Sequence, residues 1–531
     1  MTSALSRDER EPAVPPTAAA LPGVLPAALP GVLVGWCALA WGIAAKDGRY
    51  GAWAMAAILI GTAATTVAVV AMARARPTRA AGLPASTPRA LGSPAPTPRA
   101  LGSPALGSPA PTPRASGSPA LSSIGARVGW ALVVATVSLG PIVRHPRYYA
   151  GGTLAPVADV LAILAGLLAA ATILLTPSPR LGAFGARGAR LRACAASSAP
   201  FWVVLGLACA AGVATIHAAP RPRIDVWYLS QVSASGLVHG ADLYRQQWAP
   251  DRASYGVDGL FDVYPYLPWT TVLLAPARLL LGDVRYGLIA ALATAAVCAR
   301  RLGRPARAAL PAGASLPAGL VAALPLLVVI FPESMYALQQ SWTEPLLVAC
   351  LAVLVLAGRG GHGRVAVVAF ALALATKQHV ALLLPLAAAW PAFGLRRTAV
   401  SAATALALVA PWVIAGPRDF ADDAVWTNLH YKVLGHSLSV PGWASHFGVT
   451  LGFAPALVVL AMAYLLAWRA RGEAAGLTLG GALVLLAADL MNKQTFFNHY
   501  TLPMGLLVLT AVLLAADGGA PTGAAPGEPG R

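Results

Sequence analysis

The sequence predicts an all-α fold, a polytopic helical bundle embedded in a membrane, and three observations carry that prediction. Hydrophobic residues make up 57% of the 531 positions and charged residues only 11%, against roughly 25% charged in a soluble domain. Mean hydropathy is +0.66. Apolar runs of helical length, rich in Ala, Leu, Val and Gly, recur along the chain and argue for helices rather than a β-barrel. Basic residues gather in the short connections between these runs, which is a topology signal. The net charge of +18 is therefore not read as a nucleic-acid surface, and no nucleic-acid partner is expected.

Taken in order, spans are expected near 30–45, 51–73, 128–143, 154–176 and 199–219. The first 30 residues mix acids with basics and hold several prolines. No removable signal peptide stands out, and the first span is expected to remain as an anchor. Residues 1–73 thus form a tail and two helices. Residues 74–127, a Pro/Ala/Gly/Ser/Arg-rich near-repeat, cannot bury a core and read as a disordered cytoplasmic linker with seven arginines and no acid. Residues 128–198 supply two further spans. A core occupies 199–516, and 517–531 is a disordered tail.

With the N-terminus inside, the loop after the fifth span lies outside. Pro268 to Leu281 is apolar but holds Pro276 and Arg278, and a full span there would carry Arg300, Arg301, Arg304 and Arg307 to the outer side. A helix lying in the outer interface keeps them inside. Spans then follow near 284–299, 314–331, 342–358, 364–376, 378–394, 398–415, 447–468, 475–491 and 500–516, about 14 in all, with both termini inside. The run 365–376 is too short to cross a core of about 30 Å. It ends at Thr376-Lys377-Gln378-His379 and another apolar run starts at once, so two short helices are expected to meet at a polar corner.

Polar chemistry collects on the outer side. The loop Ile224 to Pro268 holds Asp225, Asp242, Asp251, Asp258 and Asp262 with many aromatic residues. Further outer loops are expected at Pro332 to Glu344, at Gly416 to Phe447 and at Asp489 to Tyr500. Asp422-Asp423 reads as a solvated pair, and no HExxH, Gly-rich phosphate loop or DxD stands among the outer loops, so no metal or cofactor is expected. The five cysteines are scattered without metal spacing or an even disulfide set.

Asp225 at the mouth of a helix is a candidate general base, or a helix-end carboxylate paired with Arg221 or Arg223. Lys377 and His379 are candidate phosphate ligands, or a snorkelling lysine and an interfacial histidine. Arg223 is a further phosphate candidate or an interfacial anchor. Tyr264, Tyr266 and Trp269 suit stacking on a sugar and equally an aromatic belt. Gln339, Gln340 and Glu344 offer hydrogen bonds to hydroxyls, although Glu344 also suits a helix start. Asn498, His499 and Lys493 have the right side and the right types.

In order along the chain stand Asp225 after a span, Gly240-Ala-Asp-Leu-Tyr244, Tyr264-Pro-Tyr-Leu-Pro268, Trp342-Thr-Glu-Pro345, Ala375-Thr-Lys-Gln-His379 and Asn498-His-Tyr500. This series resembles the GT-C membrane glycosyltransferases, and within them glycosyltransferase family 87, the polyprenol-phosphate-mannose-dependent α-mannosyltransferases. The likeness covers about residues 199–516. It implies a large first outer loop carrying a catalytic Asp, Asp225, with donor-phosphate contacts from Lys377, His379 and Arg223. Substrate contacts fall to Tyr264, Tyr266, Gln340, Glu344, Asn498 and His499.

It implies inverting, metal-free transfer of a sugar, mannose by family expectation, from a polyprenyl-phosphate donor to a glycolipid or glycan acceptor. The site would lie on the outer face of a bacterial plasma membrane. The chain departs from the family in its N-terminal spans and in the arginine two residues before Asp225. A lipid-linked polysaccharide polymerase or ligase is the alternative. A transporter fits less well, since little beyond Asp159 is placed at the midplane and no internal repeat exists outside the linker.

Overall fold

The computed structural model describes residues 24–45, 50–75, 124–144, 149–176, 198–244, 263–304, 317–330 and 332–517. The expected linker, the C-terminal tail and the part of the first outer loop holding Asp251, Asp258 and Asp262 lie almost wholly outside them. Everything described is helix, turn or irregular connection, with no strand among the described residues.

Fifteen longer helices are labelled here in chain order. They are α1 Val24–Ala45, α2 Ala52–Arg74, α3 Ile124–Arg144, α4 Leu154–Leu175, α5 Ala199–Ala218, α6 Asp225–Leu237, α7 Trp269–Leu281 and α8 Arg285–Leu302. The remainder are α9 Pro332–Gln340, α10 Glu344–Arg359, α11 Gly363–Thr376, α12 Gly394–Ala415, α13 Phe453–Arg469, α14 Ala474–Met491 and α15 Phe497–Asp517. Among the described residues, seven helical segments are long and apolar enough to cross a membrane: α2, α4, α5, Ala318–Gln340, α12, α14 and α15. The bent pair α7–α8 raises the number to eight if it counts as one span. The chain is thus a helical membrane protein by length and composition of its helices.

The centre of the bundle is the α14–α15 pair, each almost wholly covered by other helices. Gly480, Gly481 and Gly505 keep these helices slim, and a methyl group at Gly505 would meet Val348 of α10 at 2.7 Å. Around the pair pack α10, α13 and the N-terminal hairpin, α1 against α15 and α2 against α14. Helix α12 keeps most of its apolar face uncovered, as expected of a rim helix against lipid.

α7 and α8 meet at 115°, and Gly282 makes the corner with φ 82°, a left-handed conformation that glycine adopts without strain. At 13 residues, or about 20 Å, α7 is too short to cross alone. The polar corner at Lys377 is present: α11 stops there on an extended residue (φ −144°). The next run restarts as a 3₁₀ turn, Gln378–Leu383, before one short α-helix, Leu384–Ala389.

Two expected loops are largely helix. Pro332–Gln340 forms α9, with Pro332 at its first position and good helix formers behind it. In the loop Gly416 to Phe447, residues 417–430 continue helically through a π-turn at Ala421–Trp426.

Candidate functional site

The described parts of the loops expected outside and the polar corner meet at one pole of the bundle. That pole gathers the C-terminal ends of α5, α11 and α14 with the N-terminal ends of α10 and α15. The basic ends lie at the other pole, where Arg359 at the end of α10 pairs with Asp517 at the end of α15 at 2.7 Å.

Asp225 is the first residue of α6, after an extended Ile224 that redirects the chain out of α5. Its Oδ1 accepts the Val226 N–H at 2.8 Å. Arg223 is exposed beside it. Burial pushes the Asp225 carboxyl above the ordinary carboxylate range, and this outweighs the opposing pull of backbone N–H groups at the helix start.

Helix α6 is held from behind. The Trp227 indole N–H donates to Asp283 at 3.3 Å, and the Gln231 side chain accepts from Val284 N at 2.9 Å and donates to Gly282 O at 3.3 Å. Asp283 is clasped by Arg285 through two hydrogen bonds of 2.9 and 2.7 Å, with the Arg285 guanidinium wholly buried. The bend between α7 and α8 therefore fixes the direction of α6.

Strip 264–268 is stitched to the polar corner. Leu267 N and the Thr270 hydroxyl both donate to Thr376 O, at 3.2 and 2.8 Å. Gln378 Nε2 reaches back to Pro265 O at 3.0 Å and Ala424 O at 2.7 Å. Asp423 accepts the Tyr264 N–H at 3.1 Å, so one member of the presumed solvated pair is a structural tie. Tyr264 itself is wholly buried, hydrogen-bonded to Thr271 and edge-on to Tyr266 at 5.6 Å between rings. It supports Tyr266 rather than offering a face to a substrate.

These ties bring Tyr266 over Lys377, with Nζ 5.3 Å from the ring centre. Lys377 pairs with Glu344 at the start of α10, Nζ to Oε1 2.5 Å. Asn498 Nδ2 of α15 donates to the same oxygen at 3.2 Å. His379 lies in electrostatic range of Lys377 and His499. His499 Nδ1 stands 3.5 Å from Asp489 Oδ1 at the end of α14. The Tyr266 phenol is held protonated by burial and by the charges of Asp225 and Glu344. Tyr431, pushed up to about 12 by burial and then by Asp225, closes the other side.

The constellation therefore joins Lys377, His379, Glu344, Tyr266, Asn498 and His499, with Asp225 at its edge through Tyr266 and Tyr431. Gln340 is buried, and its amide nitrogen has no partner among the described residues. Asp489 and Tyr431 were in the outer loops by sequence but carried no assigned role; an acid closing a span was the available sign for Asp489. Among the described residues, no three His, Cys, Asp or Glu side chains stand close enough to share a metal ion.

The fold and this polar pole define a helical membrane protein with a buried charged cluster at one end. No family model, curated protein or solved structure matches the chain.

Proposed function

We propose that the chain is an inverting membrane glycosyltransferase of the GT-C type, resembling glycosyltransferase family 87. It moves a sugar, mannose by that resemblance, from a polyprenyl-phosphate donor to a glycolipid or glycan acceptor at the outer face of a bacterial plasma membrane. The finer architecture belongs to the same proposal: about 14 spans, both termini inside, and α7 flat in the outer interface. The observation that carries the reading is the convergence of Lys377, His379, Glu344 and Asp225 at one pole, although these residues are spread over more than 150 positions of sequence.

In the proposed step the Asp225 carboxylate takes the proton of the acceptor hydroxyl as that oxygen attacks the anomeric carbon. The bond from the anomeric carbon to the phosphate oxygen breaks and its electron pair leaves with the phosphate. Lys377 offsets the charge that grows there, and the His379 imidazole donates a hydrogen bond to the same oxygens. Lys377 has three donors, so the ammonium can keep Glu344 and still turn a hydrogen toward phosphate. The raised affinity of Asp225 for a proton makes it a stronger base than a solvated carboxylate.

The test is transfer of radiolabelled sugar from polyprenyl-phosphate donors in membranes of expressing and deleted cells. Label appearing in a lipid or glycan product of opposite anomeric configuration, only with the gene present, is the expected result. Equal labelling in both membranes contradicts the proposal.

A further inference from the structure

Four cations are buried among the described residues, and three of them have partners. Arg285 holds Asp283 and Lys377 holds Glu344, while Arg127 donates to Thr176 O at 3.2 Å. Arg300, in the last turn of α8, has no acceptor. It is 6% exposed, and its Nε and Nη1 are closed off without a hydrogen-bond partner. The third nitrogen, Nη2, is the one left to meet an anion from outside.

Aromatic rings wall the cation. The guanidinium carbon stands 4.4 Å from the centre of the Phe201 ring and 5.1 Å from that of Trp202, both in the first turn of α5. Trp202 is half exposed. Arg301 and Arg304 follow on the surface, and Arg304 lies in electrostatic range of Arg300. A methyl group at the neighbouring Gly303 would meet Val512 near the end of α15 at 3.3 Å. This is therefore the pole that holds the Arg359–Asp517 pair.

The chain itself brings no counter-charge here. Helices α5 and α8 and the connections 177–197 and 305–316 contain no Asp or Glu, and the connections add Arg180, Arg187, Arg190, Arg192 and Arg307. Asp283 stands beyond the other end of α8, about 25 Å away. A cation–π contact and the partial negative charge of a helix C-terminus each offset only a small part of the cost of taking a guanidinium out of water.

Place and shape select the anion. The start of α5, a helix long and apolar enough to span, sits at the depth of lipid headgroups, where amphipathic rings such as Trp202 gather. Basic pockets between helix ends at that depth suit anionic headgroups, and the planar guanidinium suits phosphate. We propose that Arg300, walled by Phe201 and Trp202 and rimmed by Arg301 and Arg304, binds the phosphate of an anionic phospholipid at the pole opposite Asp225. The site stands whether or not the chain transfers sugar.

The experiment uses the purified full-length chain in neutral detergent, titrated with phosphatidylglycerol, phosphatidylcholine or inorganic phosphate. Native mass spectrometry counts bound lipid and thermal unfolding reads its effect. Wild type is expected to retain phosphatidylglycerol in preference to phosphatidylcholine and to unfold at higher temperature with it. Arg300→Met, which removes an unpaired buried charge, is expected to bind phosphatidylglycerol about tenfold more weakly or worse and to gain no stability from it. Arg304→Gln, at an exposed position, is expected to weaken binding about fivefold, the effect of one basic residue near an anionic surface. Arg396→Gln, an exposed arginine at the start of α12, is expected to bind as wild type does. Unchanged binding by Arg300→Met overturns the site, and so does unchanged binding by Arg304→Gln should the Met variant fail to fold. An equal loss in Arg396→Gln overturns it in favour of diffuse charge. Stabilisation by inorganic phosphate equal to that by phosphatidylglycerol overturns the lipid in favour of a soluble anion.

Discussion

Lys377 and Glu344 form a buried ion pair, Nζ to Oε1 2.5 Å, with the side chains 9% and 1% exposed. The ammonium comes from the break after α11 and the carboxylate from the first turn of α10. The pair thus joins two helices and orients a cation under the Tyr266 ring. Removing one partner leaves the other charged, buried and uncompensated, which costs roughly 3–5 kcal/mol. Glu344→Gln is therefore expected to lower the unfolding temperature sharply. The double replacement Lys377→Met with Glu344→Leu is expected to recover most of that loss and no transfer activity. Thermal unfolding in detergent beside a transfer assay reads both; recovered activity in the double variant contradicts a phosphate role for Lys377.

Asp225 gives a pH dependence of defined sign. Its folded pKa lies above the unfolded value near 3.8. The stability it contributes is full below that unfolded value and is lost as pH rises through the raised folded one. The base must be ionised to act, so kcat/KM is expected to fall as pH drops through the raised value, at higher pH than for a solvated carboxylate. A pH–rate profile checks this, and an acid limb at the ordinary carboxylate pKa counts against Asp225 as the base.

Tyr266 stands between the two halves of the site. Tyr266→Phe keeps the ring over Lys377 and removes only the phenol. That phenol lies in electrostatic range of Asp225 and Glu344, and its removal is expected to lower kcat/KM with the fold intact. Tyr266→Ala also uncovers Lys377, and its unfolding temperature is expected to fall. Equal activity of the Phe variant and wild type removes the hydroxyl from the mechanism.

The clamp behind α6 should couple folding to catalysis. Asp283→Asn leaves the wholly buried Arg285 guanidinium without its counter-charge, a loss of roughly 3–5 kcal/mol. Transfer measured well below the new unfolding temperature is expected to show a lower kcat with little change in donor KM, because α6 carries Asp225 and not the phosphate contacts.

Sequence and molecule agree most closely where physics is local. Helices α1 to α5 follow the apolar runs, and the break at Lys377 follows from a run too short to cross. The corner at Gly282 was visible as an apolar segment interrupted by Pro276 and Arg278. What was not legible is non-local. Pro332–Gln340 reads as a loop because Pro332, Glu333 and Ser334 open it and two glutamines close it, yet it is a helix on which Tyr336 to Gln340 are buried. Asp423 looked solvated because its partner, the Tyr264 N–H, is 159 positions away. Tyr264 and Tyr266 look alike in sequence, and only packing separates the buried support from the ring over Lys377.

By sequence the N-terminal hairpin lies outside the core at 199–516. It packs on α14 and α15, and Tyr50 at its tip donates its N–H to His436 O at 3.2 Å and sets its ring 4.5 Å from that of His446. Residues 199–516 expressed alone are therefore expected to be degraded or to aggregate. Co-expression with residues 1–198 is expected to restore a monodisperse species by size-exclusion chromatography.

The central claim is that Asp225 takes the acceptor proton, and sugar transfer by Asp225→Asn in membranes tests it most directly. The account predicts a drop of about 100-fold or more, with an unfolding temperature equal to or above that of wild type, since a half-buried charge is removed. An Asp225→Asn protein that folds and transfers sugar at the wild-type rate contradicts it.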